Sequence, residues 1–552
     1  MKKMNLIYWL VLILTIGIVW MFRPWFHSPI MFIYTRPIAA LFGIFFVFLL
    51  SWLIADKIRK ADPANPSIFQ KIIVPITVFH YFVFLISFWF FIFVLIIEVS
   101  ILSKIMKGKK TENSKSEKPN FGRRRFFIFS CVVVLIIWFL TLSFEADIAY
   151  LITSKKIDFK ERQNFPIVDP IRILPKEVAT RYASDSFQNP QEYLGDSQIV
   201  LVKGEIKRVF PRLPEGSLLY FINKMSGFMV IDVSSLERKA EVIDQPFKYS
   251  EGVGVFDNIY FQLYKKKFFV EYYEPIYLFD SIKNEWVTVV PYASYKYFPI
   301  RMPVWGGFMV VYSDGRIEDH KPEDAMSLSF TKNNRVFPKE LARYYTESYA
   351  YKGGLINKWF FHKDQPMIDE TEDEPQPFHI STTEGYKQVL FAKPVSSSYG
   401  IFKIFIFDAT SGEAEIMNFD QNSLLSGAVT SIDYVRRRFP YVDYDSFFVA
   451  EPRPFVVNNN FYWLFSLIDA GGAGVAYTVA VDARTNEVII FNNEGELKNF
   501  MKGGTASYPV NTPANTSTNN DQIKIDTSDK EKIKETLKAI EYELNYIREL
   551  IK

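Results

Sequence analysis

The sequence predicts a chain in two parts: a multi-pass α-helical membrane domain, then a strand-rich α+β region of antiparallel hairpins that ends in a coiled-coil helix. Three observations predict it. Long apolar runs crowd residues 1–145. Beyond residue 145, short apolar stretches alternate with Asp/Gly/Asn turn chemistry. Residues 527–552 repeat apolar positions at heptad spacing.

A chain of 552 residues exceeds one ordinary domain. A net charge of +3 excludes the basic surface of a general nucleic-acid binder, so no nucleic-acid partner is expected. Cys131 stands alone, which excludes intrachain disulfides and cysteine-based zinc sites.

Four runs are expected to cross a bilayer, at residues 5–22, 38–55, 72–102 and 126–144. The first ends Trp20-Met21-Phe22-Arg23-Pro24, without the small residues of a cleavage site, so it reads as uncleaved. Nine Lys and Arg between Lys104 and Arg125 precede the last run, with Arg123, Arg124 and Arg125 directly against it. These are the topology determinants; they place that loop in the cytoplasm and the following region outside the cell. A five-crossing version folds the third run into a hairpin with arms of about 15 residues, short for a span. His80 and Glu98 are ionisable groups inside that run. Eighteen residues apart, they lie about 27 Å from each other on one straight helix and cannot share a site. Both read as reaching the interface, with transport as the sharper alternative. The lipid bilayer is thus an expected partner.

Residues 146–331 and 332–502 are expected to form two strand-rich α+β lobes. Ile173–Tyr182 matches Val336–Tyr345 as a Pro-Lys-Glu helix start with apolar positions at helical spacing. Asp280–Glu285, Asp408–Glu413 and Asp482–Glu487 share the form Asp-x-x-x-Gly/Asn-Glu between apolar stretches. Gly or Asn supplies a left-handed position and Asp bonds forward to the turn backbone, so each reads as a hairpin rather than a calcium site. Ser313-Asp314-Gly315-Arg316 reads as a further turn.

No catalytic, cofactor-binding or metal-ligating set is legible in the sequence. Gly471-Gly472-Ala473-Gly474 lacks the Lys-Ser/Thr of a phosphate loop. The five His have no metal-ligand spacing, and no Gly-x-Ser-x-Gly elbow occurs. The acidic run 369–374 reads as a solvated loop, and Arg436-Arg437-Arg438 as the basic end of a helix over 424–439. The chain is therefore expected not to be an enzyme and to carry no cofactor.

That helix is followed by strands bearing Tyr462-Trp463 and then Val481-Asp482-Ala483-Arg484-Thr485-Asn486-Glu487-Val488. This order, over residues 424–491, resembles a PepSY-type module, with Asn486 where the pattern has Gly. The resemblance implies a small extracytoplasmic α+β binding or inhibitory module without catalytic residues.

Residues 503–526 read as a flexible linker. A capping box at Ser528 and Glu531 opens the last helix. Ile533, Leu537, Ile540, Leu544, Ile547 and Ile551 form its seam, Leu537, Leu544 and Ile551 at a and the others at d, a pattern that favours tetramers. The expected partner is a second copy of this chain or another protein; docking on its own domain is the alternative. Together these readings predict an integral membrane protein that presents extracytoplasmic binding modules as a cell-envelope binding, scaffold or assembly factor. The alternative is a transport or channel component with the helical block as its active part.

Overall fold

A computed structural model describes residues 27–42, 121–216, 219–371, 375–395, 400–420, 423–472 and 474–504. Helix α1 (His27–Thr35) comes first, then α2 (Phe121–Lys156) and the short strand β1 (Lys160–Glu161). The helix does not stop at Phe144, where the last crossing was expected to end. No Gly or Pro follows, so it runs on to Lys156 through Glu145 and Asp147. Its later turns are held by protein. Glu145 accepts the Ile38 and Ala39 amides at 2.9 and 3.2 Å. Tyr150 stacks on Tyr344 and Tyr351 at 4.7 and 5.2 Å between centroids.

Among the described residues, no helix is long and apolar enough to cross a membrane. This corrects the multi-pass domain, the membrane localisation, the envelope-scaffold reading and the transport alternative, all of which required crossing helices. The physical reason is that an apolar run is a necessary feature of a span and not a sufficient one, because side chains of the protein also cover apolar helices. Arg123, Arg124 and Arg125 lie within α2. The runs 5–22 and 72–102, most of 38–55, His80, Glu98, and the seam Ile533, Leu537, Ile540, Leu544, Ile547 and Ile551 lie outside the described residues.

The rest is strand-rich and antiparallel apart from β1, which joins the strand Ala414–Asn418 in parallel. It builds four modules, each a helix followed by a meander. Module 1 is α3 (Lys176–Ser186) with β2 (Glu192–Leu194), β3 (Gln198–Val202), β4 (Glu205–Pro214), β5 (Met225–Asp232) and β6 (Ala240–Phe247). Module 2 is α4 (Ile259–Lys266) with β7 (Glu271–Tyr272), β8 (Ile276–Asp280), β9 (Glu285–Lys296), β10 (Met302–Val311) and β11 (Ile317–His320). Module 3 is α5 (Lys339–Tyr349) with β12 (Pro366–Ile368), β13 (Phe378–Thr382), β14 (Gly385–Pro394), β16 (Lys403–Asp408) and β17 (Ala414–Asn418). Module 4 is α6 (Ala428–Arg438) with β19 (Phe447–Val457), β20 (Asn460–Asp469), β21 (Val475–Asp482), β22 (Val488–Phe491) and a closing helix α7 (Glu494–Met501). A small ladder of β15 (Gly400–Ile401) with β18 (Leu425–Ser426) links modules 3 and 4. That ladder shortens the helix expected over 424–439, because Leu425 and Ser426 are taken up as strand before the Gly427 cap.

One local device recurs. The last hairpin of each module turns on an Asp whose Oδ1 accepts an amide two residues on: Asp232 from Ser234, Asp314 from Arg316, Asp408 from Thr410 and Asp482 from Arg484. In modules 1, 3 and 4 the residue after that Asp then anchors the segment that enters the helix, while in module 2 Ser313 O, just before Asp314, accepts the Lys248 amide. Val233 O accepts from Ile173 and Leu174, Ala409 O from Val336 and Phe337, and Ala483 O from Ser426. In those three modules, turn chemistry within six residues thereby sets where the helix of the same module begins.

The first strand of each meander is broken at its middle. β2 and β3 share β4, β7 and β8 share β9, and β12 and β13 share β14. β19 carries a register shift between Ala450 and Arg453 instead. An acidic residue stands at every break: Asp196, Glu274, Asp369 and Glu451. Asp369 is only 4% exposed and pairs with Lys393 at 3.0 Å, which corrects the solvated-loop reading for that residue; Glu370 is exposed, and 372–374 lie outside the described residues.

The sheets of modules 1 and 2 face each other through Phe228, Val230, Leu278, Val287 and Phe308. Those of modules 3 and 4 do so through Phe391, Ile404, Phe461 and Trp463. Helix α3 covers the other face of module 1 together with Ala450 and Ile468 of module 4. Helix α5 covers module 3 and reaches Ala293 of module 2. The contacts thus run from 1 to 2, 2 to 3, 3 to 4 and 4 back to 1.

Candidate ligand site at the module junction

A six-residue segment leads into both α3 and α5. Arg172-Ile173-Leu174-Pro175-Lys176-Glu177 recurs 163 residues later as Arg335-Val336-Phe337-Pro338-Lys339-Glu340. Each copy meets a Glu-Pro pair from a strand break in another module, Glu451-Pro452 for the first and Glu274-Pro275 for the second. The matching decapeptides Ile173–Tyr182 and Val336–Tyr345 leave out the Arg one residue before each, and the two Glu-Pro pairs lie far from both. That Arg-x-x-Pro-Lys-Glu repeat is the signal that would have located the site.

The first copy is closed. Glu451 sits at φ 47°, a left-handed backbone rare for a non-glycine, and the shifted register of β19 turns its side chain inward. Its Oε1 takes Arg172 Nη2 at 2.9 Å and Arg208 Nη2 at 3.1 Å, and its Oε2 takes the Lys176 amide at 2.9 Å. The Glu451 side chain is 2% exposed. Burial alone would raise its carboxyl, but Arg172, Arg208 and Arg453 outweigh burial and hold it below the usual carboxylate range. Glu177 is pushed the other way, by burial and then by the charge of Glu451. Arg453 donates to the backbone oxygens of Arg172 and Ile173 and to Ser466 Oγ, the last at 2.6 Å. The second copy is looser. Lys339 Nζ pairs with Glu274 and Arg335 stands 3.9 Å from it, with Gln198 Nε2 donating at 3.2 Å.

Two spaces adjoin the closed copy. One is a cleft of about 360 Å³ between α3 and β2. Lys176, Thr180 and Ser184 line it at helical spacing, facing Tyr193, Asp196 and Ser197. Arg208 joins cleft and junction, donating Nη1 to Ser197 Oγ at 3.0 Å and Nη2 to Glu451. The other is a cavity of about 20 Å³ lined by Arg172, His379, Ser381 and Arg453 among Pro170, Pro452 and Pro454. Burial drives the His379 imidazole well below its ordinary range, helped by Arg335, Lys339 and Arg172. Among the described residues, no group of three or more His, Cys, Asp or Glu is arranged to hold a metal ion.

No protein-family model and no curated protein matches the chain. Among solved structures, the crystal structure of a levansucrase variant from Bacillus subtilis matches at 9% identity and a TM-score of 0.17, over 60% of this chain and 98% of that one. A likeness at that level carries no argument about fold or activity.

Proposed function

We propose that this chain is a non-catalytic binding protein that takes an extended peptide into the cleft between α3 and β2. The observation that carries the reading is the position of the cleft along β2, which ends its sheet in the order β2-β4-β5-β6. A sheet edge offers backbone groups to an added strand, and a cleft of about 360 Å³ falls within the ordinary range for ligand sites. At about 3.3 Å per residue, the three residues of β2 seat a ligand segment of similar length. Lys176 supplies the positive group for a carboxylate on the ligand, and Phe187 and Tyr193 supply apolar contact. The helix-then-meander order of module 4 supports the PepSY-type likeness of residues 424–491, which implies binding or inhibition. Self-association through Ile533, Leu537, Ile540, Leu544, Ile547 and Ile551 belongs to the same proposal. A Leu544→Asp chain should then show a smaller native mass, and an unchanged mass would remove that part.

The test uses the full chain and a phage library of random octapeptides. Selected peptides, fluorescently labelled, should bind the wild type and lose at least about tenfold in affinity, roughly 1.4 kcal/mol, on Thr180→Trp. Thr180 is exposed on α3, so the variant is expected to fold. A library that yields no binder, or binders indifferent to Thr180→Trp, refutes the reading.

A further inference from the structure

The small cavity differs in chemistry from the cleft. At about 20 Å³ it has room for one water-sized body. Its side-chain lining carries no carboxylate. Two guanidiniums, Arg172 and Arg453, face it, and both are almost fully buried. His379 Nε2 is buried and has no hydrogen-bond partner among the described residues. The Ser381 hydroxyl, also in the lining, is directed to the Asp169 carbonyl oxygen at 3.2 Å.

The hydrogen-bond type of the lining points to an anion. Arg172, Arg208 and Arg453 act on Glu451, and Arg208 acts on Glu177 as well, and both carboxylates of the junction lie outside the cavity lining. Guanidinium has donors and no acceptor, and a neutral imidazole whose Nε2 bears the proton also donates. A water placed there must find acceptors for its own hydrogens, whereas an anion needs only donors. The volume admits a monatomic ion and is too small for phosphate or sulfate.

We infer that the cavity is a binding site for one chloride-sized monovalent anion, held by Arg172, Arg453 and His379 Nε2. Arg172 leads into module 1, His379 lies on β13 of module 3 and Arg453 lies on β19 of module 4. The ion ties three modules at one point and gives the buried His379 Nε2 a partner. It is a structural ligand, independent of any peptide in the cleft.

Thermal unfolding of the full chain tests this at constant ionic strength, with sodium chloride exchanged stepwise for sodium gluconate. The midpoint should rise with chloride by several degrees and keep rising with its logarithm above the binding constant, as for any ligand that binds the folded state alone. Bromide should substitute, and sulfate should not. His379→Phe should abolish the halide dependence. A midpoint indifferent to halide overturns the proposal, as does a dependence that survives in a folded His379→Phe chain. If that variant does not fold, bromide-soaked crystals of the wild type decide. An anomalous peak between Arg172, Arg453 and His379 supports the site, and its absence overturns it.

Discussion

Arg172–Glu177 and Arg335–Glu340 share four identical positions and occupy the same place before a helix. They nonetheless hold their carboxylates differently. Glu451 is 2% exposed and is gripped by two guanidiniums and a backbone amide. Glu274 is 31% exposed and leans on a lysine that is itself 38% exposed. The difference comes from the strand breaks. In module 4 a left-handed Glu451 keeps β19 in one piece and turns the carboxylate inward, while in module 2 the break separates β7 from β8 and admits solvent. One hexapeptide therefore yields a buried ion cluster in one place and a screened pair in the other, and the partner strand decides which.

The largest expected effect breaks this comparison directly. Glu451→Ala removes the carboxylate that Arg172 and Arg208 share and should cost about 3–5 kcal/mol in urea unfolding. Glu274→Ala should cost about 1 kcal/mol or less, because solvent screens that pair. Equal costs would show that the two junctions are energetically alike.

The next effect is on pH dependence. The folded-state Glu451 carboxyl lies below its unfolded range, so its stabilisation is complete above that range and is lost as pH falls through the lowered value. Glu451→Gln should flatten the acid limb of a stability profile. Glu177 and Glu340 are both raised, chiefly by burial, so their contribution has the opposite sign. It is complete below the unfolded range and lost as pH rises through the raised value. Glu177→Gln and Glu340→Gln should therefore each raise the melting midpoint at neutral pH and lose that advantage below the ordinary carboxylate range. An unchanged midpoint at pH 7 would contradict the burial of these two groups.

The smallest effect concerns the turns. Gly412 has φ +75°, and a Cβ there would lie 2.7 Å from a ring carbon of Phe337. Gly412→Ala should cost about 2 kcal/mol. Asn486 holds the matching position at φ 62°, where Gly is free of strain, but its side chain accepts from Ser426 Oγ, so Asn486→Gly should cost about 1 kcal/mol through that lost bond. Chemical denaturation of the two variants side by side sharpens the rule for the hairpins.

The hairpins were legible because their determinants lie within six residues. Asp280 accepts the Ile282 amide, and Asp408 and Asp482 do the same two residues on, with Asn284, Gly412 and Asn486 left-handed after them. The Pro-Lys-Glu helix starts were legible for the same reason, and α3 and α5 do begin at Lys176 and Lys339. The membrane domain was misread because hydropathy records a need for cover without saying what supplies it. The continuation of α2 to Lys156 shows protein supplying it for the helix's later turns.

The candidate site was not legible as a site. Arg172 and Glu451 are 279 residues apart, and nothing near either one names the other. By itself the sequence determined the turns, the helix starts and the alternation of helix with meander, because a hydrogen bond from Asp to the amide two residues on depends only on local chain geometry. Only the tertiary structure decided which carboxylate each Arg-x-x-Pro-Lys-Glu segment receives and how deeply it is buried. That pairing depends on four modules closing on one another, and an ion pair takes its strength from the dielectric of the place it occupies.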